Sequence, residues 1–225
     1  MEWGQEGIAA LGEHCSVLVV VDVLSFSTAV DVVVSRGGSV RPVRWADRAS
    51  AARPADPSGT LRPSSLVDVP AGTVLELASA NGATLCSMAA STGAIVLVGC
   101  LRNARAVASE ARALAAGGPI GVVPGGERWG VTMTATAEAG PMRPAVEDLL
   151  GAGAVMSSLL GYGSASVEAA MAAEAFAWAS VEDVLAGCVS GRELIATGHA
   201  ADVELAAQVN VSTAVPRLAN GLITA

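Results

Sequence analysis

The 225-residue chain contains no lysine, and all thirteen of its basic residues are arginine. Without lysine the chain has no Walker A motif, no kinase-type lysine, and no Schiff base to a carbonyl substrate or to pyridoxal phosphate. The net charge is −8 and no basic cluster occurs, so nucleic-acid binding has little electrostatic support. An acidic protein of this kind suits a divalent cation as its partner.

Other absences narrow the protein class further. No uninterrupted apolar run approaches the roughly 20 residues that span a bilayer, and the N-terminus has no basic start typical of a signal peptide. The four cysteines form no CxxC pair, which favours buried free thiols in a reducing cytoplasm over disulfides or a zinc site. No serine lies in a GxSxG elbow, so a Ser-His-Asp hydrolase is poorly supported. We therefore expect a cytoplasmic protein that binds neither membrane nor nucleic acid.

Strand-like and helix-like segments alternate along the chain, a pattern typical of βα units in a mainly parallel sheet. Long polar loops are expected at 46–64 and 124–142, and the chain from 166 onward is mostly helical. We predict one three-layer α/β/α domain over 1–225, with a mainly parallel or mixed sheet and a helix-rich C-terminal part. The predicted strands are 17–23, 40–43, 73–79, 95–98, 120–123 and 214–218, and the predicted helices are 27–36, 83–90, 103–116 and one that begins at Pro144.

Asp22 is the first candidate for a functional residue. It follows five consecutive apolar residues, mostly β-branched, that read as a strand buried on both faces. An ionised carboxylate there is costly to desolvate unless it meets a cation or several donors. In open α/β sheets the carboxyl ends of strands are where ligands bind. Asp22 is therefore a candidate for a metal or phosphate site.

Three further strands also end in polar residues, and a parallel sheet would bring all four ends to one edge. Each feature has a plainer explanation, since Asn81 and Gly82 suit a helix-entry turn and Ser27 suits an ordinary N-cap. The convergence of the four is the argument for a single active site. The four strand ends are 22–28 (DVLSFST), 79–82 (SANG), 99–103 (GCLRN) and 124–128 (PGGER).

Residues 143–154 (RPAVEDLLGAGA) are the other concentrated feature. Glu147 and Asp148 lie in the first turn of the predicted helix, about 100° apart around its axis. Interaction with the helix dipole accounts for one acidic residue there. A pair that follows a long glycine-rich loop is also what a hard divalent cation would use. Both explanations stay open at this point.

In these motifs the chain resembles the magnesium-dependent 2-phosphosulfolactate phosphatases. The resemblance runs in order from about residue 17 to 222. Members often carry Arg after Asp-Val-Leu, where this chain has Ser25, which cannot supply a bidentate positive charge. The segments that carry the resemblance to this family are 20–28 (VVDVLSFST), 79–83 (SANGA), 98–104 (VGCLRNA), 124–128 (PGGER), 146–153 (VEDLLGAG), 188–194 (CVSGREL) and 202–206 (DVELA).

The resemblance implies a three-layer α/β fold, a Mg²⁺ cofactor, and hydrolysis of the phosphate monoester of a small acidic 2-hydroxy acid, giving sulfolactate and phosphate from 2-phosphosulfolactate. It also implies that the first and fifth motifs supply metal-binding carboxylates. We expect Asp22, Glu147 and Asp148 to hold the ion. Glu127, Asn81 and Asn103 are expected to act with Asp22 in catalysis. The expected substrate-binding residues are Ser25, Ser27, Thr28, Gly82, Arg128 and Arg143.

Two alternatives belong to other functional classes. Ser25 at the usual arginine position motivates a small-anion binding protein on the same scaffold with impaired catalysis. A nucleotide-using transferase is disfavoured by the missing lysines. The alanine-rich C-terminal part could pack against a second copy, so a homodimer is a plausible arrangement.

Overall fold

A computed structural model of the protein describes residues 1–47, 61–130 and 140–225. The main sheet has seven strands, and two short strands, β6 and β7, form a separate ribbon. The strands are β1 (Val17–Val21), β2 (Ser39–Arg44), β3 (Val74–Ser79), β4 (Ile95–Gly99), β5 (Ile120–Pro124), β6 (Glu127–Arg128), β7 (Met142–Arg143), β8 (Arg217–Ala219) and β9 (Leu222–Thr224). The helices are α1 (Gly4–Gly12), α2 (Phe26–Ser35), α3 (Gly82–Ala89), α4 (Ala104–Ala115), α5 (Val146–Leu159), α6 (Val167–Trp178), α7 (Val181–Gly187), α8 (Val189–Ala196) and α9 (Ala200–Ala206).

The sheet is mixed, with strand order β3-β2-β9-β8-β4-β1-β5. β1 lies between β4 and β5 and is parallel to both, while β2 and β3 form a second parallel pair. The antiparallel β8–β9 hairpin joins the two groups, pairing with β4 on one side and with β2 on the other. The sequence predicted one C-terminal strand over 214–218, and the structure has this hairpin instead.

β1 separates two hydrophobic cores, which makes the fold three-layered. Its five residues are fully buried, and alternate side chains point to opposite faces. Val17, Val19 and Val21 pack with α4, α5 and α6 in one core. Leu18 and Val20 pack with α2, α3 and β3 in the other. The predicted α/β/α arrangement is confirmed.

Helix α2 shows how local sequence sets an element boundary. The apolar run Val32-Val33-Val34 continues to the end of the helix, and Gly37 then takes φ +79°, a conformation that favours glycine. The amide of Gly38 donates to the Val33 carbonyl at 3.0 Å, which satisfies a carbonyl of the last turn. The helix therefore ends within one residue of the predicted boundary at 36.

Several boundaries differ from the predicted ones. α5 begins at Val146, two residues after Pro144, because the chain leaves β7 in an extended conformation that continues through Ala145. α1 was not predicted. Within the predicted loops the structure has 3₁₀ turns at Trp45–Asp47 and Pro63–Leu66. Residues 48–60 and 131–139 of those loops lie outside the described residues.

Two cavities lie away from the predicted site residues. One of about 460 Å³ lies among α7, α8 and α9, and one of about 180 Å³ lies between α2, Leu205 of α9, Val67 and Arg102 after β4. Of the helices in the described part of the chain, none has the length and apolar character needed to cross a membrane. The four cysteines are free thiols.

Candidate active site

The carboxyl ends of β1, β4 and β5 are level with one another. Val21 pairs with Gly99 on one side and with Pro124 on the other, so the next residues of all three strands begin their loops at one edge. Asp22 is the first residue after β1 and is only 5% exposed. Its backbone N–H donates to Ser27 Oγ at 2.8 Å, which fixes the turn into α2. The predicted strand-end position of Asp22 is what the structure shows.

Asp22 also contacts the far edge of the sheet. Its Oδ2 accepts a hydrogen bond from the Gly82 N–H at 2.7 Å and one from Ser79 Oγ at 3.2 Å. Five strand intervals lie between β3 and β1 in the sheet order, so in a flat sheet these two strands would be about 24 Å apart. The sheet therefore curls, bringing the end of β3 and the start of α3 onto the end of β1.

Gly82 is required by this close approach. A Cβ at position 82 would lie 2.8 Å from Asp22 Oδ2 and 2.4 Å from Phe26 Cδ1. The backbone N–H can reach the carboxylate only because no side chain intervenes. Gly82, predicted to bind substrate, is buried and donates its N–H to Asp22.

Helix α5 brings two buried acidic residues to the same edge. Glu147 and Asp148 are each 3% exposed. Asp148 Oδ1 accepts the Val23 N–H at 2.7 Å, and its Oδ2 accepts the Gly126 N–H at 2.8 Å. The first turn of α5 is thereby joined to the loops that follow β1 and β5.

Glu127 lies on the β6–β7 ribbon and contacts the loop after β3. Its Oε2 accepts a hydrogen bond from Asn81 Nδ2 at 3.2 Å. Gly125, two residues before Glu127, is held by a 2.7 Å hydrogen bond from its N–H to the Val21 carbonyl. Both Asn81 and Glu127 are partly exposed, so they form the open side of the cluster. The structure thus brings four predicted carboxylates to one place: Asp22, Glu127, Glu147 and Asp148.

Burial and neighbouring negative charges raise the pKa values of three of these carboxylates, Asp22, Glu127 and Asp148. Burial is the main reason why the pKa of Asp148 lies well above its ordinary value, and the charges of Asp22 and Glu147 add to it. Burial and the Asp22 charge raise the pKa of Glu127 to about 7, against the opposing effects of Asn81 and Arg143. The site therefore favours a bound cation or bound protons.

Asp22 itself is subject to opposing effects. Burial raises its pKa, and hydrogen bonds from Gly82, Ser25 and Ser79 lower it by stabilising the charged form. The nearby charge of Glu147 raises the pKa further. The net direction is upward, as it is for Asp148 and Glu127.

No arginine forms a salt bridge with this cluster within the part of the chain that the structure describes. The three ion pairs there are Arg41–Glu76, Arg44–Asp47 and Arg102–Asp31. Nor are any three His, Cys, Asp or Glu side chains of the described residues arranged around one point as a metal cage. The cluster is acidic and hydrogen-bonded, and no ion pair with another described residue balances its charge.

The remaining predicted substrate residues are placed differently from one another. Ser25 is partly exposed and donates from Oγ to Asp22 Oδ1 at 3.1 Å. Ser27 and Thr28 are fully buried, and Thr28 Oγ1 donates to the Val23 carbonyl at 2.6 Å. Both of these hydroxyls therefore shape the β1–α2 loop, and contact with substrate stays a prediction for them.

Asn103 is also fully buried. Its Oδ1 accepts the Cys100 N–H at 2.9 Å, and its Nδ2 lies 3.4 Å from the Val98 carbonyl. The side chain thus organises the loop after β4, and none of these bonds connects it to the carboxylates. Its predicted catalytic role stays a prediction.

The two arginines of the β6–β7 ribbon point in different directions. Arg128 donates from Nη1 to the Gly140 carbonyl at 3.2 Å. The Arg143 guanidinium carbon lies 5.4 Å from the centre of the Trp129 ring. Its charge lowers the pKa of Glu127, so Arg143 is the arginine that acts on the carboxylate cluster.

Sequence reasoning missed two contributors to the site. Ser79 was noted only as part of a strand end, yet it donates to Asp22 and accepts the Asn81 N–H at 3.1 Å. Cys188, which caps α8, donates its thiol to the Leu185 carbonyl at 3.2 Å; burial first and then the charge of Glu147 raise its pKa to about 11. Cys188 lies in segment 188–194, one of the segments that resemble the phosphatase family. This resemblance was the signal in the sequence that could have identified it.

A family model described as 2-phosphosulpholactate phosphatase matches residues 65–221. The matched segment includes Asn81, Glu127, Glu147 and Asp148, while Asp22 precedes it. No curated protein matches the chain. Because the match covers more than half of the sequence, the chain belongs to the 2-phosphosulpholactate phosphatase family.

Proposed function

We propose that this protein is a Mg²⁺-dependent phosphatase that hydrolyses the phosphate monoester of a small acidic 2-hydroxy acid, such as 2-phosphosulfolactate. The supporting observation is the convergence of four carboxylates at one sheet edge without an ion-pair partner among the described residues. When these buried carboxylates are ionised, a bound cation would stabilise them. The family supplies the reaction type, hydrolysis of a phosphate ester.

The donor set suits magnesium. All four side chains offer oxygen atoms, the ligands that hard cations prefer, and none of the four is a histidine or thiolate. Magnesium is commonly held by one or two carboxylates together with waters and substrate phosphoryl oxygens, so a cage of three protein ligands is not needed. Asp22 Oδ1 accepts one hydrogen bond, from Ser25, and each oxygen of Asp148 also accepts one from the described residues, so these oxygens keep a second acceptor position. We assign the ion to Asp22, Glu147 and Asp148.

When bound, Mg²⁺ would neutralise phosphoryl oxygens and acidify a water molecule. Hydrolysis breaks the bond between phosphorus and the ester oxygen, forms one to a water oxygen, and leaves a proton on the departing alcohol. Glu127, whose pKa lies at about 7, suits the transfer of that proton at neutral pH. Asn81 holds the Glu127 carboxylate by its amide hydrogen bond.

The test is phosphate release from 2-phosphosulfolactate by the purified chain, with Mg²⁺ and with excess EDTA. We expect Mg²⁺-dependent turnover, and a loss of about 100-fold or more in Asp22→Asn. The melting temperature of the metal-free variant should stay close to that of the wild type, because an amide can still accept from Gly82. Asp68→Asn, an exposed aspartate, is the matched control.

Three outcomes would count against the proposal. Wild-type protein without turnover in either Mg²⁺ or Mn²⁺ would overturn it. Binding of the ester without hydrolysis would favour the anion-binding alternative. Full turnover in Asp22→Asn would remove Asp22 from the metal set.

A further inference from the structure

The carboxylate cluster creates a difficulty for any substrate that carries a second acidic group. Mg²⁺ at the carboxylates would attract the phosphate, but a carboxylate or sulfonate on the same small molecule would still lie near several negative side chains. With no lysine in the chain, arginine is the side chain that can supply a permanent counter-charge to this group. The β6–β7 ribbon at the open side of the cluster carries two, Arg128 and Arg143.

We propose that Arg143 binds the second anionic group of the substrate, and that this contact selects phosphorylated acids over phosphate esters of neutral alcohols. The inference rests on the proposed phosphatase function and assigns the residue that determines its substrate class. Arg128 does not share this role.

The pairing of the ribbon supports Arg143. Glu127 pairs directly with Arg143, and Arg128 pairs with Met142. Residues directly opposite each other in an antiparallel pair project from the same face, and neighbours along a strand project from opposite faces. Glu127 reaches Asn81 in the site, so the Arg143 side chain leaves the ribbon on the site-facing side.

The other face of the ribbon is occupied. The Met142 side chain packs against Gly4 at the start of α1. Its atoms lie about 3.6 Å from the position that a Cβ on residue 4 would take. Arg128, on this face, donates to the Gly140 carbonyl. Arg128 is therefore directed away from the cluster.

Trp129 holds the Arg143 guanidinium in place. Trp129 is two residues beyond Glu127 and hence on the same face of the ribbon, and its ring centre lies 5.4 Å from the guanidinium carbon. A cation over an aromatic face is attracted by the ring, which orients the guanidinium plane and leaves its N–H edge available. The Trp129 side chain is 61% exposed, so this pair lies at the mouth of the site.

The Arg143 guanidinium also has N–H groups that are not used in an ion pair with another described residue. Among residues 1–47, 61–130 and 140–225 it takes part in none of the three ion pairs, unlike Arg102, which is bound to the buried Asp31 at 2.8 Å. A guanidinium presents five N–H donors in a planar fork that matches carboxylate or sulfonate oxygens in pairs. A half-buried arginine with this geometry is suited to an acid group.

The experiment compares two esters in three variants. The substrates are 2-phosphosulfolactate and isopropyl phosphate, a phosphate ester of a three-carbon secondary alcohol that carries neither the carboxylate nor the sulfonate. The variants are Arg143→Met, Arg143→Lys and Arg128→Met, with Arg105→Met on the exposed side of α4 as the control. Melting temperatures verify folding, and calorimetry with sulfolactate measures acid binding without chemistry.

We expect Arg143→Met to lower kcat/KM for 2-phosphosulfolactate by about 30-fold or more, through KM. The same variant should change kcat/KM for isopropyl phosphate by less than about threefold. Sulfolactate should bind more weakly by the same factor as the loss in kcat/KM. Arg143→Lys should recover part of the loss, because lysine keeps the charge without the fork.

An equal loss on both esters would overturn the proposal, since Arg143 would then act on the phosphoryl group. Unchanged kinetics in Arg143→Met, or a selective loss in Arg128→Met instead, would also overturn it. If the wild type hydrolyses neither ester, the proposed phosphatase function is wrong. Calorimetry with sulfolactate then tests separately whether Arg143 binds an acid group. Sulfolactate binding that is absent, or that Arg143→Met leaves unchanged, would then overturn the assignment.

Discussion

The Val23 amide donates a 2.7 Å hydrogen bond to Asp148 Oδ1, across 125 residues of sequence. The other oxygen of the same carboxylate accepts the Gly126 amide at 2.8 Å. One side chain on α5 therefore holds the loops after β1 and β5 together, next to Asp22 and Glu127. Asp148 has a structural function here whether or not it also binds a metal.

Removing this acceptor should destabilise the protein. Asp148→Ala leaves two buried N–H groups without a partner, at a cost of about 1–3 kcal/mol each. We expect the free energy of unfolding to fall by on the order of 3 kcal/mol in Asp148→Ala, and by less in Asp148→Asn, which keeps one acceptor oxygen. Urea denaturation in EDTA measures both, with Asp68→Ala as the exposed control. Equal stabilities of wild type and Asp148→Ala would contradict the prediction.

Gly82 should tolerate no side chain. The Cβ of Gly82→Ala would lie 2.4 Å from Phe26 Cδ1, so the start of α3 must move away from Asp22. We expect a loss of about 1–3 kcal/mol in stability and a large loss of phosphate release. Gly163→Ala is the matched control, because a Cβ there meets no atom within 4 Å. Activity and denaturation curves that match between the two variants would show that the close contact is unimportant.

The metal-free protein should lose stability as pH rises from 4.5 to 7. Glu127 has a folded-state pKa of about 7 against an ordinary value of 4.5, so between these values the folded state binds more protons than the unfolded state. Stability then decreases with rising pH, by on the order of 3 kcal/mol for Glu127 alone. Asp22 and Asp148 are shifted in the same direction.

Urea denaturation in EDTA at pH 5 and pH 8 tests this dependence. Glu127→Gln should reduce it, while Glu174→Gln, on the exposed side of α6, should not. Stabilisation by added Mg²⁺ should be larger at pH 8, where the carboxylates are ionised. Greater stability of the metal-free wild type at pH 8 than at pH 5 would contradict the prediction.

Much of the fold was predictable because its signals are local. The buried run 17–21, the glycine stop after α2 and the alternation of strands with helices each follow from a few neighbouring residues. The level ends of β1 and β5 followed from the parallel arrangement, so Asp22 and Glu127 were expected together before any contact was known.

The remaining features depend on contacts between distant segments. The curl that brings Ser79 to Asp22, and the β8–β9 hairpin that joins two groups of strands, leave no periodic signal in the sequence. The direction of a side chain within a loop is equally hidden. The motif pattern could not distinguish Asn103, bonded within its own loop, from Asn81, bonded to Glu127.

By strand order β3 is the edge of the sheet, five positions from β1, and would ordinarily be judged peripheral. The curl places its last residue, Ser79, beside Asp22 in the carboxylate cluster. Sequence changes in β3 or at the first turn of α3 therefore bear directly on the charge state of Asp22. The end of the edge strand β3 is therefore constrained by the same carboxylate, Asp22, as the end of β1.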